Sequence, residues 1–436
     1  MPKSLKRSQP VLKFDALMEF LDQCFHQFSD HRASNTRYRL PEVLKAAFAM
    51  FSLKSASLLD FKKQTVPEES NLKSIYRIEA EIPCDNQMRI TLDGFSASNL
   101  RPLFASFFKL LCEAGLLLSY RYWEQYLLVS IDGVEHFSSK NVHCSNCITR
   151  TSRNGEVTYH HAALAAVIVH PDQREVFALD FEPIIKQDGK RKNDCEREAA
   201  KRLCRGMHER HPKGKFLLVE DALYANAPHI RQISEYGWKY ILNVKEASHK
   251  SLFKQFEYGR RMGDVKELST TDTDGVEQNY AWVNGLSLCE SAWDVEVNFL
   301  YYEERQPTGE VKRWTWITNL PLRAATVEKV MRAGRARWKI ENETFNTLKN
   351  QGYNFTHNYG HGVKHLATVL ALVMMLAFLV DQIQQRYCQT FQQLWKGLGS
   401  KSKLWAAIRN VFAVLKFESM EMLYCHIGYL YQIKLE

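Results

Sequence analysis

No apolar run in the sequence is long enough to cross a bilayer. The longest, Leu366 to Val380, stops short of the roughly 20 residues a spanning helix needs; it reads as a buried helix, and no membrane partner is expected. The opening MPKSLKRSQP is basic and polar and lacks the apolar stretch of a secretory leader. Ten scattered cysteines behind such a start fit a reducing, cytoplasmic setting. A second Cys-x-x-Cys pair is missing, which removes the paired-knuckle zinc modules. There is no internal repeat, low-complexity tract or long linker, and so no solenoid or tethered array.

What is present is a 436-residue chain, too long for one simple core, so two or three domains or one domain with insertions are expected. Its 45% apolar content is enough to fold. With 58 Lys plus Arg against 49 Asp plus Glu, the charge of +9 suits a polyanionic partner but needs a site to support it.

Three segments before residue 120 repeat apolar positions at helical spacing: FDALMEFLDQCF, LPEVLKAAFAMFSL and LRPLFASFFKLLCEAGLL. Pro83 and Asp85 mark a further helix start ahead of Arg89. This all-α region is read either as a DNA-binding module or as a scaffold that packs on the next domain, and it has no helix-turn-helix signature. From Tyr126 the pattern turns to short strands, YLLVSID, ALAAVIVH and EVFALDF, expected to form an antiparallel meander. The helix DCEREAAKRLCRGMHERH comes after them, with acids in its first turn as the macrodipole favours. Next come the doubly buried strand KFLLVED, the helix ANAPHIRQISEYG and the strand WKYILNVK, giving β-β-β-α-β-α-β. Beyond Lys245 lies a β-rich insertion with a turn at Pro307-Thr308-Gly309. A long helix over Thr326 to Asn350, the apolar helix and a short helical end complete the chain. The expected divisions are 1–120, 121–249, 250–322, 323–385 and 386–436.

Metal-dependent attack on a phosphodiester requires carboxylates that hold two ions about 3.5–4 Å apart. Asp132 is expected to end the first strand and Asp221 the fourth; if these strands are parallel neighbours, both acids emerge at one sheet edge. Glu341, in RARWKIENETFNTLK, adds a third oxygen donor from a helix, a set suited to Mg²⁺ or Mn²⁺. Each acid also has a plainer reading. Asp132-Gly133 suits a hairpin turn, Asp221 an N-cap, and Glu341 a solvated helix face. Glu343 is a weaker candidate for the third acid.

The strand order, the two Asp positions, the β-rich insertion and the Arg337-Trp-x-Ile-Glu341 helix together resemble the DDE transposases of the insertion-sequence-four class over roughly residues 120–380. The resemblance implies an α/β, RNase H-like mixed sheet with a β-rich insertion, an N-terminal helical domain and C-terminal helices. It implies Asp132, Asp221 and Glu341 as catalytic metal ligands, and Arg337 and Lys349 as contacts to phosphates of the transposon end. It further implies cleavage at transposon ends and 3′-hydroxyl transfer into target double-stranded DNA, by a homodimer in a bacterial, nucleoid-associated setting. Two positions depart from the Tyr-Arg-Glu-Lys signature that this class carries: its Tyr falls at Gly334, and Lys349 lies one residue further from Glu341 than usual. A nuclease without strand transfer and a non-catalytic, domesticated DNA-binding protein are the rival functions.

His143-Cys144-x-x-Cys147 has metal-ligand spacing, and a structural zinc is considered on Cys144, Cys147, Cys195 and His161, with His160 nearby. Cys195 and Cys204 equally suit small core residues. The run Lys186 to Lys192 is read as a solvated loop or a DNA-backbone contact. Trp282, Tyr301, Tyr302, Trp314 and Trp316 suit a base-stacking surface or, in a β structure, the core. His357 and His361 come soon enough after Glu341 to reach its site or to cap the next helix.

Overall fold

The computed structural model describes residues 13–65, 69–79, 81–185 and 195–435. Its strands are β1 (Arg121–Trp123), β2 (Tyr126–Ser139), β3 (Ile148–Thr151), β4 (Val157–His170), β5 (Gln173–Ile184), β6 (Phe216–Glu220), β7 (Lys239–Asn243), β8 (Lys266–Thr271), β9 (Glu277–Cys289), β10 (Ala292–Arg305) and β11 (Val311–Thr318). They form one mixed sheet. β5, β4 and β2 make the expected antiparallel meander, and β6 and β7 add to β2 in parallel. This five-strand unit is the RNase H-like core. β6 is buried along its whole length, as its continuous apolar run requires of a strand covered on both faces.

The β-rich insertion continues the same sheet. β11 pairs antiparallel with β7, and β10, β9 and β8 lie successively outward. The sequence pattern carries no sign of β8, because the strand's side chains are mostly solvated and show no alternation of apolar residues; the amphipathic helix Lys250–Met262, which buries Leu252 and Phe256 on one face, interrupts the region read as β-rich. The turn at Gly309 forms as read, with its backbone at φ +86 and its N–H donating to the Gln306 carbonyl.

The apolar run continues in the structure into a 22-residue helix, Leu366–Tyr387, which is long and apolar enough for a membrane span where the run alone falls short, yet 94% of its most apolar stretch is buried inside the protein. Leu40–Ser52, buried on nearly all sides, packs directly against it. The N-terminal helices are therefore fastened to the core. The Arg101 guanidinium makes a two-pronged contact with Asp180, at 2.9 and 2.7 Å, and the Tyr359 hydroxyl donates to the Ser55 carbonyl. Three C-terminal helices, Gln389–Leu398, Lys401–Val414 and Met420–Leu430, close the bundle.

Candidate active site

The parallel pairing of β2 with β6 decides where the first two acids sit. Ser130 is level with Val219. Two residues further on come Asp132 in β2 and Asp221 immediately past the end of β6, so both acids leave adjacent parallel strands at the same height. Asp132 does not end its strand as expected; β2 runs on to Ser139, paired with β4 alone, and Asp132 lies opposite Ala165. That pairing excludes the hairpin-turn reading of Asp132-Gly133. Nor does Asp221 cap the next helix. The cap of Ala227–Glu235 is Asn226, whose side chain accepts from the His229 N–H, while Asp221 accepts from the Leu223 N–H at 2.9 Å.

Glu341 faces Asp132 across an open cleft of about 400 Å³, lined by Asp132, Gly133, Glu135, Glu341, Phe345 and Lys349 among others. The long helix expected over Thr326 to Asn350 is broken in the middle. An α-helix covers Val327–Ala336, a π-helical turn Ile340–Phe345, and α-helix resumes over Asn346–Asn350. A π turn takes one residue more than an α turn. A side chain eight positions after Glu341 thus reaches the face that the seventh would hold in an unbroken helix, and Lys349 lines the cleft despite its extra spacing. Gly334 has an equally local cause. A Cβ there would fall 2.6 Å from the indole Nε1 of buried Trp316, so the indole fills the space in which a larger side chain at 334 would begin. Glu343 turns away, toward Arg174 at 3.5 Å.

Arg337 bridges two of the acids, with Nη1 2.7 Å from Glu341 Oε1 and 3.4 Å from Asp132 Oδ2. Burial pushes the Asp132 carboxyl up to about 6, and the Glu341 and Asp221 carboxylates push the same way; the Gly133 N–H and Arg337 hold it back. One cation does not neutralise this pocket. A fourth acid, Glu196, was missed in the sequence, where it reads only as a favourable first-turn residue. Its carboxylate sits so close to Gly133 that a Cβ there would meet it at 2.9 Å, and burial, then Asp221, raises its pKa. The three acids converge without closing: among the described residues, only Cys144, Cys147, His161 and His361 bring three or more such ligand atoms within 4.8 Å of one another.

That cluster corrects the expected zinc set. Cys144, Cys147 and His161 come together, but the fourth member is His361; Cys195 is exposed at the start of the helix Glu196–Arg210 and takes no part. His160 pairs instead with Glu135 at 3.0 Å, His143 stacks on Tyr159, and Cys204 is a core residue. Neither His357 nor His361 caps the apolar helix. Of the two uses read for the aromatic residues of the insertion, the structure shows the core one: Trp282, Tyr302 and Trp316 are buried, Tyr301 and Trp314 pack partly buried against them, and Trp314 lies under Arg335. Lys186 to Lys192 lie outside the described residues.

Carboxylates leaving adjacent parallel strands at one height, with a third presented by a helix across a cleft, make an all-oxygen donor set of the kind that metal-dependent phosphodiester chemistry uses. The chain belongs to the transposase DDE domain family, whose model matches residues 158–379. It is accordingly a DNA transposase, an enzyme that cleaves and transfers phosphodiester bonds with divalent metal ions. The matched stretch holds Asp221, Arg337, Glu341 and Lys349; Asp132 precedes it. Among solved structures, similarity is found to a piggyBac transposase synaptic complex with hairpin DNA, determined by cryo-EM. Identity is 9%, 98% of this chain and 80% of that chain are covered, and the TM-score is 0.41. No curated protein matches the sequence.

Proposed function

We propose that Asp132, Asp221 and Glu341 are the catalytic acids of a transposase of the insertion-sequence-four class, and that their metal is Mg²⁺ or Mn²⁺. The observation that carries this reading is the shared height of Asp132 and Asp221 on β2 and β6, with Glu341 across the cleft. The residues fit such ions: the donors are all carboxylate, and half-buried Asp132 has its pKa raised to about 6 in a pocket that a further positive charge would relieve. When bound, two divalent ions stabilise the attacking and leaving oxygens of an in-line displacement. Arg337 and Lys349 hold phosphates of the transposon end at the cleft, with Arg337 leaving its acid partners for a phosphate as DNA enters. Water first cleaves the element's end, and the freed 3′-hydroxyl then attacks target DNA. Two ends call for two active sites, which favours a homodimer. The N-terminal helices serve as the scaffold of this core, consistent with their packing on Leu366–Tyr387.

The test is cleavage and strand transfer on DNA carrying the element's own ends, comparing wild type with Asp132→Asn, Asp221→Asn and Glu341→Gln. All three variants are expected to bind these ends and to lose both reactions. Retained cutting in all three overturns the acid assignment. Cleavage without joining by wild type indicates a nuclease, and binding without cutting indicates a binding protein.

A further inference from the structure

We propose that Cys144, Cys147, His161 and His361 form a structural zinc site that ties the segment after the Glu341 helix to the edge of the catalytic sheet. The four ligand atoms all lie within 4.8 Å of one another, and five of their six separations come close to the edges of a zinc tetrahedron. Bonds of about 2.3 Å to sulfur and 2.0–2.1 Å to nitrogen give tetrahedral edges of about 3.8 Å for S–S, 3.6 Å for S–N and 3.3 Å for N–N. Here the two Sγ atoms are 3.8 Å apart. His161 Nε2 lies 3.4 Å from each sulfur, His361 Nε2 lies 3.2 Å from Cys147 Sγ, and the two Nε2 atoms are 3.1 Å apart. Two thiols and two imidazoles select zinc over the hard ions suited to the acid cleft.

The surroundings prepare the ligands. His361 Nδ1 is 2.8 Å from the Gly362 carbonyl, which fixes the proton on that nitrogen and turns the Nε2 lone pair inward, as the outer partners of zinc-bound histidines do. Cys144 and Cys147 are joined in a tight turn, the Cys147 N–H donating to the Cys144 carbonyl and the Cys144 N–H approaching Cys147 Sγ at 3.4 Å. Cys147, His161 and His361 are buried, whereas Cys144 retains some exposure that gives the ion a way in. From between the two cysteines, Asn146 donates its amide to the Lys364 carbonyl, a second tie to the same segment. His361 is 214 positions from Cys147, with the whole β insertion between them, so an ion here clips a long loop whose closure is otherwise held by noncovalent contacts alone. The site serves to hold the Glu341 side of the cleft against β2 and β4.

The experiment is metal analysis of the full chain purified without chelator from zinc-supplemented culture, with subsequent replacement of the metal by Co²⁺. One zinc per chain is expected in wild type, and equally in Asp132→Asn, Asp221→Asn and Cys195→Ser, which separates this site from the acids. Zinc should fall to near zero in Cys147→Ser and His361→Ala. Because those variants are at risk of misfolding, the wild-type cobalt protein provides the independent reading: intense visible bands of a tetrahedral ion with thiolate charge transfer in the near ultraviolet. Wild type without zinc, a weak octahedral cobalt spectrum, a Cys144–Cys147 disulfide in freshly prepared protein, or zinc retained in both ligand variants would each overturn the proposal.

Discussion

Lys54 and Asp381, 327 positions apart, form an ion pair with Nζ 2.6 Å from Oδ2, and neither side chain is more than 3% exposed. Tyr353 and Trp405 close around the ammonium, each ring centroid within 4.2 Å of Nζ, and the Tyr353 hydroxyl also bonds to Asp381. Lys54 holds a left-handed backbone at φ +56 to reach this position. The pair lies where the N-terminal helices meet the helix Leu366–Tyr387, which packs under β5, and so links that region to the sheet that carries the acids.

Removing one member leaves the other charged and dry, which costs about 3–5 kcal/mol, whereas replacing both with apolar groups of similar volume is often neutral. Lys54→Met alone is expected to lose stability on that scale, and Lys54→Met with Asp381→Leu to recover most of it. Urea unfolding of the three proteins decides. Equal losses in the single and double variants would show that the pair contributes packing and no charge coupling.

The Asp132 carboxyl gives a pH signature. Its folded pKa, about 6, lies above the ordinary 3.8, so between those values the folded state binds more protons than the unfolded chain. Metal-free wild type must therefore lose stability as pH rises through that window. At about 1.4 kcal/mol per pKa unit, discounted for partial exposure, the loss is on the order of 1–2 kcal/mol. Asp132→Asn cannot ionise and should be the more stable protein at pH well above the window, the difference closing toward the acid end. Arg337→Gln removes the cation that holds this pKa down and should move the window upward. Denaturation in chelator across the pH range measures both, and an Asn variant less stable than wild type at alkaline pH would contradict the electrostatic account.

How far the sequence could be read depends on how local each signal is. The apolar run Phe216 to Val219 announces a doubly covered strand by itself, and with it the position of Asp221 at the strand's end. Asp132 is visible as an acid near a strand, but its mid-strand placement comes from pairing with β4, which β2 alone does not encode. The π turn after Lys339 leaves no mark in composition, yet it decides that Lys349 lines the cleft. His361 reaches Cys147 only through the folding of everything between them, so spacing favoured the nearer Cys195. Glu196 was hidden behind a sufficient local reason for an acid in a first turn.

Gly334 is set by a neighbour in β11. Alanine there gains about 1 kcal/mol of helix propensity. Against this, its Cβ would meet Trp316 at 2.6 and 2.7 Å from two indole atoms, and that ring is buried and has little room to retreat. Overpacking of this kind costs about 1–3 kcal/mol, so Gly334→Ala should be net destabilising, and Gly334→Tyr more so. Pairing each with Trp316→Phe, which shrinks the opposing ring, should return part of the loss. Thermal melts of the single and double variants test this, and a Gly334→Ala protein more stable than wild type would mean that Trp316 has room to shift.

Asp93 organises the other end of the segment that carries His361. Its carboxylate accepts the backbone N–H groups of Val363, Lys364, His365 and Leu366 at 2.9–3.0 Å, at the start of the apolar helix. It also lies against Gly362, whose backbone at φ +68 and missing Cβ allow that approach. Burial pushes the carboxyl up, but the four donors together hold it below its ordinary 3.8. A depressed carboxylate contributes stability that is present above the ordinary pKa and fades as pH falls through the folded one. Asp93→Ala strands several donors and should cost about 1–3 kcal/mol near neutral pH, with the gap from wild type narrowing below about pH 4. Asp93→Asn, which keeps one acceptor oxygen but no charge, should fall between the two. Since His361 hangs from the same loop, hydrogen exchange at 361–366 should quicken in Asp93→Ala while exchange in β6 stays slow. Uniform quickening across both would mean that the carboxylate supports the whole fold and not this loop in particular.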